Sequence, residues 1–257
     1  VSEEKLLEGD TEESGDSFIS HLIELRSRLV KAAVAFFLVF LCLVYFTSDI
    51  YDLLAAPMLS ALPQGTRMIA TGVTTPFLVP MKLTAMVAFV IALPMILYQA
   101  WAFVAPGLYS HEKRLASPIL VSSYLLFLAG MAFSYFFVFR TVFRVIYAYS
   151  PKSVQVAPDI DSYLSFVLTM FLAFGLTFEV PVVVVVLVQF GLVTVAKLRE
   201  WRRYMIVISF AIAAIVTPPD AMSMFLLALP LCLLYEAGII AATFVKPREK
   251  ETAAEPG

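Results

Sequence analysis

In so apolar a chain the ionisable side chains stand out, and they cluster. The densest group is SHLIELRSRL, Ser20–Leu29, which sets His21, Glu24, Arg26 and Arg28 just before the first long apolar run. At helical spacing Leu22, Leu25 and Leu29 share one face, and His21, Glu24 and Arg28 share another. A helix of that kind lies at a membrane surface with its charges toward water. Two readings of Glu24 stay open. It pairs with Arg28 four residues on, simply solvating the face, or its carboxylate is kept for a cationic guest.

A second carboxylate follows in the loop WAFVAPGLYSHEKR, Trp101–Arg114. Pro106 and Gly107 end one helix, and Ser110 is placed to cap the next. Glu112 then either complements the dipole of a first helical turn or joins Glu24 at one membrane face, with Phe103 as an exposed aromatic and Lys113 beside it. Two carboxylates suit a guest with two adjacent guanidiniums. Arginine meets a carboxylate through two parallel bonds, and lysine cannot reproduce that fork. Each such charge-assisted bond contributes about 1.5–3 kcal/mol.

Glu179 lies deep inside LTFEVPVVVVVLV. An ionisable residue there costs on the order of 2.5–3.5 kcal/mol and faces a polar partner or a cavity. Pro181 frees a backbone carbonyl and kinks the helix. Glu179 is therefore either a neutral carboxyl hydrogen-bonded to a neighbouring helix, or a site for a partner helix or a water-filled pocket. Glu236, Lys82 and Gln99 lie within about two turns of helix ends and can snorkel. Asp220, after Pro218-Pro219, reads as a helix N-cap. His21 and His111 stand outside any HExxH, GxSxG or Walker pattern, so the expectation is no enzyme, no cofactor and no metal.

The elements that must position these residues are helices in lipid. Of the 257 residues 61% are hydrophobic and 15% charged, well above the roughly 45–50% apolar content of soluble domains. Given about 20 apolar residues per span, six candidates emerge: 29–46, 77–104, 115–139, 163–190, 204–216 and 222–245. The fifth, 13 residues long, rises about 20 Å against a hydrocarbon core of about 30 Å. Either the bilayer thins there or the helix starts earlier, with Trp201 as an interface anchor. The basic residues divide thirteen to four between the two sides, which places both termini in the cytoplasm.

The remaining segments are quickly placed. Residues 1–16 are acidic and expected to be a disordered tail, 17–245 form the membrane domain, and 246–257 a cytoplasmic tail. The acidic start does not match a cleavable signal. Cys42 and Cys232 fall in apolar runs and are expected to be reduced, buried thiols with no disulfide. Basic residues are scattered, which excludes a nucleic-acid binder. The outer loops are 47–76, with Pro57, and about 140–162, where Asp161 or Ser162 is expected to cap the next helix.

Several long motifs occur in one order: SHLIELRSRL, LPQGTRMIATGVTTPF, ILYQAWAFVAPGLYSHEKRL, DIDSYLSFV, FGLTFEVP and TPPD. With these the chain resembles the TatC family, the multi-span core subunits of the twin-arginine protein translocase, over about 17–244. The resemblance implies an all-α integral membrane protein with six transmembrane helices in a concave bundle and short fifth and sixth helices. It implies a signal-peptide site at Glu24, Arg26, Phe103 and Glu112, with His21 and Lys113 in the same segments. It also assigns Glu179 to arranging a TatA- or TatB-type helix, and matches Pro57 and Asp220 to further translocation positions. Two departures are Met224, where many relatives carry glutamine, and the positive Arg140 and Arg144 at the outer end of the third span.

The function expected from residues and resemblance together is export of folded proteins across a bacterial inner membrane, driven by the proton-motive force. The chain would be receptor for twin-arginine signal peptides and scaffold for TatA- and TatB-type subunits, with self-association and contacts to lipid. The competing expectation is a proton-coupled small-molecule transporter using Glu179.

Overall fold

The computed structural model describes residues 2–52, 69–104, 113–142, 159–216 and 221–245; side chains are described from Ile19 on, except at 104, 113–116 and 222–223. Among these residues the regular structure is helical, apart from one isolated parallel bridge between Ile69 and Asp159. Lipid offers no partner for a backbone N–H or C=O, so a chain this apolar must bond its backbone within each segment.

The elements are α1 (Ser2–Val44), a short turn of helix over 47–52, α2 (Thr75–Val104), α3 (Lys113–Phe133, continued by a π-helical stretch Ser134–Phe139), α4 (Ile160–Phe178), α5 (Val180–Gln189), α6 (Val195–Glu200), α7 (Arg202–Val216) and α8 (Ala221–Thr243). Five stretches are long and apolar enough to cross a membrane: Ile19–Val44, Thr75–Phe103, Ser117–Val142, Ile160–Gln189 and Met224–Thr243. They match five of the six expected runs. The sixth is α7, whose 15 residues rise only about 22 Å. It starts at Arg202, two residues earlier than its apolar run, with Trp201 exposed at the joint.

α1 begins at Ser2, inside the acidic stretch expected to be a disordered tail. Glu, Leu and Lys favour helix, and carboxylates at a helix start complement its dipole.

Contacts divide the chain into two units, residues 1–59 with 80–121, and 60–79 with 122–257. In the first, no described side chain of α1 between Ile19 and Val44 is buried; Cys42, expected to be buried, is exposed on the outside of this apolar helix, and Cys232 on α8 is only half-buried. The buried side chains of this unit lie on α2, among them Leu83, Ala88, Ala92, Leu93, Trp101 and Ala102. α2 tolerates Pro80 and Pro94 inside the helix, as spans do when neighbouring groups resatisfy the backbone. Gln99, expected to snorkel, is instead buried, its amide against the Met95 sulfur at 3.9 Å.

In the second unit the most extensive helix contacts are between α5 and α8, and between α7 and α8. Val184, Val188, Leu198, Tyr235, Ile239 and Ala242 form its core. Small residues set the spacing, as in lipid, where close backbone approach does the work of association. A Cβ on Gly238 would sit 2.9 Å from the Pro181 Cα. One on Gly130 would collide with the Phe174 carbonyl, and one on Gly175 with the Phe127 ring. Gly191 ends α5 with φ 66°: its N–H donates to the Val188 carbonyl and that of Leu192 to Leu187, the paired bonds of a Schellman turn.

Candidate functional site

The charged head of α1 meets the end of α2 through rings. His21 and Phe103 stack with centroids 4.5 Å apart and planes 23° from parallel. Phe103, expected as an exposed aromatic, is half-buried. One turn along α1, Arg28 donates to Glu24 through both Nε (2.8 Å) and Nη2 (2.6 Å), and both bonds land on Oε1. The pair is partly exposed, so a guest guanidinium competes with a surface ion pair of about 0.3–0.5 kcal/mol. Arg26 is exposed on the same helix. Glu112 lies outside the described residues, and Lys113 opens α3 with its side chain outside them. The structure thus brings together His21 and Phe103, with Glu24 and Arg26 on the same stretch of α1.

Glu179 occupies the break between α4 and α5. It caps α4, its N–H donating to the Leu176 carbonyl at 3.1 Å, and its own carbonyl takes the Val183 N–H at 3.0 Å. Pro181 stands in the first turn of α5, where a missing N–H does least harm. The side chain is 8% exposed, and neither carboxylate oxygen has a hydrogen-bond partner among the described residues. The Ser123 hydroxyl on α3 is a polar group close enough to interact with it.

A third polar cluster joins segments far apart in sequence. The Asp159 carboxylate accepts from the Ser162 N–H and hydroxyl, both at 3.0 Å, capping α4. Its other oxygen accepts from the Thr71 hydroxyl at 2.9 Å and N–H at 3.2 Å. The Ile160 N–H donates to the Ile69 carbonyl at 3.0 Å. Hydrogen bonding, first that from the Ser162 backbone, holds this carboxyl below its usual 3.8, at about 2. The cap is therefore Asp159, not Asp161 or Ser162, because a capping oxygen must reach the N–H three residues on. The Asp-Ile-Asp-Ser spacing carries that signal, but nothing local announces Thr71.

Glu236, expected to snorkel, is paired: Arg202 Nη2 donates to it at 2.7 Å, linking α7 to α8. Arg140 is exposed at the end of the π-helical stretch and Met224 is half-buried. Pro57, Asp220 and Arg144 lie outside the described residues.

A family model described as Sec-independent protein translocase protein (TatC) matches residues 20–230. The chain is 50% identical over 235 residues to the Sec-independent protein translocase protein TatC of Haemophilus influenzae, covering 91% of this chain and 92% of that one. It is 50% identical over 241 residues to that of Escherichia coli K12, covering 93% of each. Among solved structures it is similar to a crystal structure of the twin-arginine translocase receptor TatC, with TM-score 0.76 and 40% identity over 87% of this chain and 98% of that one. The expected transmembrane helices, the break at Glu179 and the matched length converge: the chain belongs to the TatC family.

Proposed function

We propose that this chain is the signal-peptide receptor and scaffold of a twin-arginine translocase, spanning a bacterial inner membrane six times with both termini in the cytoplasm. Its family makes it a membrane component of the Sec-independent protein translocase. The receptor reading rests on one observation above others: the His21–Phe103 stack draws the α1 segment bearing Glu24 and Arg26 to the end of α2. Glu24 and Glu112 then hold the paired arginines of a signal peptide, with Phe103 as the aromatic wall and Lys113 at the edge. The chain itself does no catalysis; it binds, orients and assembles.

Glu179 takes the scaffold role. A buried carboxyl whose oxygens are left unsatisfied among the described residues has room for a further donor, and a polar group on a TatA- or TatB-type helix supplies one. Pro57 and Asp220 belong to the same translocation machinery, with further copies of this chain alongside. The orphaned carboxyl also supports a second reading, a proton-coupled small-molecule carrier; solute flux by purified protein in liposomes under a pH gradient would establish it.

The deciding experiment compares a labelled Arg-Arg signal peptide with its Lys-Lys version on purified chain in detergent. The receptor reading expects about tenfold tighter binding of Arg-Arg, about 1.4 kcal/mol, with the gap erased in Glu24→Ala or Glu112→Ala. Equal binding by the two peptides, untouched by either substitution, would reject it.

A further inference from the structure

At the joint of α6 and α7 four basic side chains fall within seven residues, Lys197, Arg199, Arg202 and Arg203. Two are neutralised: Lys197 pairs with Glu200 at 3.1 Å and Arg202 with Glu236 at 2.7 Å. Arg203 lies over the Tyr204 ring, 4.9 Å from its centroid, a contact that leaves its charge intact. Arg199 is exposed, with no ion pair among the described residues. Among the described residues two positive charges therefore have no ion pair, beside the exposed Trp201 and Tyr204.

The joint is also rigid. Thr194 caps α6 by accepting the Lys197 N–H, Leu198 is buried, and Tyr235 of α8 donates its hydroxyl to the Leu198 carbonyl at 2.8 Å. Immediately beyond the arginines the surface turns apolar, with Ile206, Val207 and Ile208 all exposed on α7. Charge, aromatic girdle and greasy wall follow one another along the chain in the order of a phospholipid's headgroup, glycerol region and acyl chains.

We propose that the α6–α7 joint is a binding site for an anionic phospholipid, its phosphate held by Arg199 and Arg203 and its acyl chains along α7. A free phosphate or a soluble acidic peptide would use the arginines and leave the exposed Ile206, Val207 and Ile208 unused. The site also suits the shortness of α7: a held headgroup keeps the bilayer surface at Arg203 although the helix rises less than a full hydrocarbon core. The inference stands apart from the receptor reading and does not depend on it.

Trp201 provides the readout, since the other tryptophan, Trp101, is buried. The full chain is reconstituted in phosphatidylcholine nanodiscs containing a minor fraction of acyl-brominated phosphatidylglycerol, or the same fraction of brominated phosphatidylcholine. Two basic side chains near a membrane surface should enrich the anionic lipid on the order of tenfold, seen as stronger quenching of Trp201. In Arg199→Gln/Arg203→Gln, and partly in Arg199→Gln alone, the excess should fall toward the neutral-lipid value, with helicity by circular dichroism unchanged. Arg140→Gln, at an exposed basic residue on another helix, should keep the excess. Equal quenching by the two lipids in the parent overturns the proposal. So does an excess that survives in both arginine variants or vanishes equally in Arg140→Gln.

Discussion

His21 and Phe103, 82 positions apart, lie ring on ring at 4.5 Å, and this contact holds the charged face of α1 at the end of α2. Such stacks contribute about 0.5–1.5 kcal/mol. Phe103→Ala should weaken Arg-Arg peptide binding by roughly three- to tenfold, and Phe103→Tyr should restore most of it. Peptide titration checks both. An alanine variant that binds like the parent removes the stack from the site.

Arg28 occupies Glu24 but only as a surface pair, so it should be a weak competitor. Arg28→Gln is expected to leave Arg-Arg peptide affinity unchanged or raise it by about twofold, given a pair of about 0.3–0.5 kcal/mol. Glu24→Gln should lose the Arg-Arg over Lys-Lys preference. A loss of affinity in Arg28→Gln as large as that in Glu24→Gln would mean the pair itself is the recognition element.

Gly130 faces the Phe174 carbonyl across α3 and α4, and backbone cannot move aside as a side chain can. Gly130→Ala should lower the thermal midpoint in detergent, with a cost of about 1–3 kcal/mol. Gly238→Ala, which presses on the Pro181 Cα and the Val184 side chain, should be destabilising as well. Both would separate helices that frame Glu179. A stable Gly130→Ala protein would show that these helices can part without loss.

Asp159 predicts a pH effect. Its folded pKa is depressed, to about 2 from 3.8, so its contribution to stability is full above about pH 3.8 and is lost as pH falls toward 2. The stability gap between parent and Asp159→Ala should therefore be constant from neutral pH down to about 4 and close below it. Thermal unfolding at stepped pH measures this. A gap that persists unchanged at the acid end would assign the effect of the substitution to packing.

Hydropathy was sufficient to mark the five helices long and apolar enough to cross a membrane, because a membrane helix is dictated locally: about 20 apolar residues must bond their own backbone wherever they lie. The break at Glu179-Val180-Pro181 and the short seventh helix were legible for the same reason, as was the charged segment of α1. Glu24, Arg26, Glu112 and Glu179 stood out because polar side chains are costly in such surroundings, and Phe103 as the aromatic in the loop that carries Glu112.

What tertiary structure alone decided are the pairings between distant segments. No local pattern says that Asp159 will take Thr71 as well as Ser162, that Arg202 will find Glu236, or that Tyr235 will reach the Leu198 carbonyl. Those partners are chosen by which helices come close, and closeness depends on where Gly130, Gly175 and Gly238 allow backbones to touch. Whether Glu179 was bonded or orphaned was undecidable from sequence for the same reason: burial and partner count are sums over neighbours, and neighbours are a property of the fold.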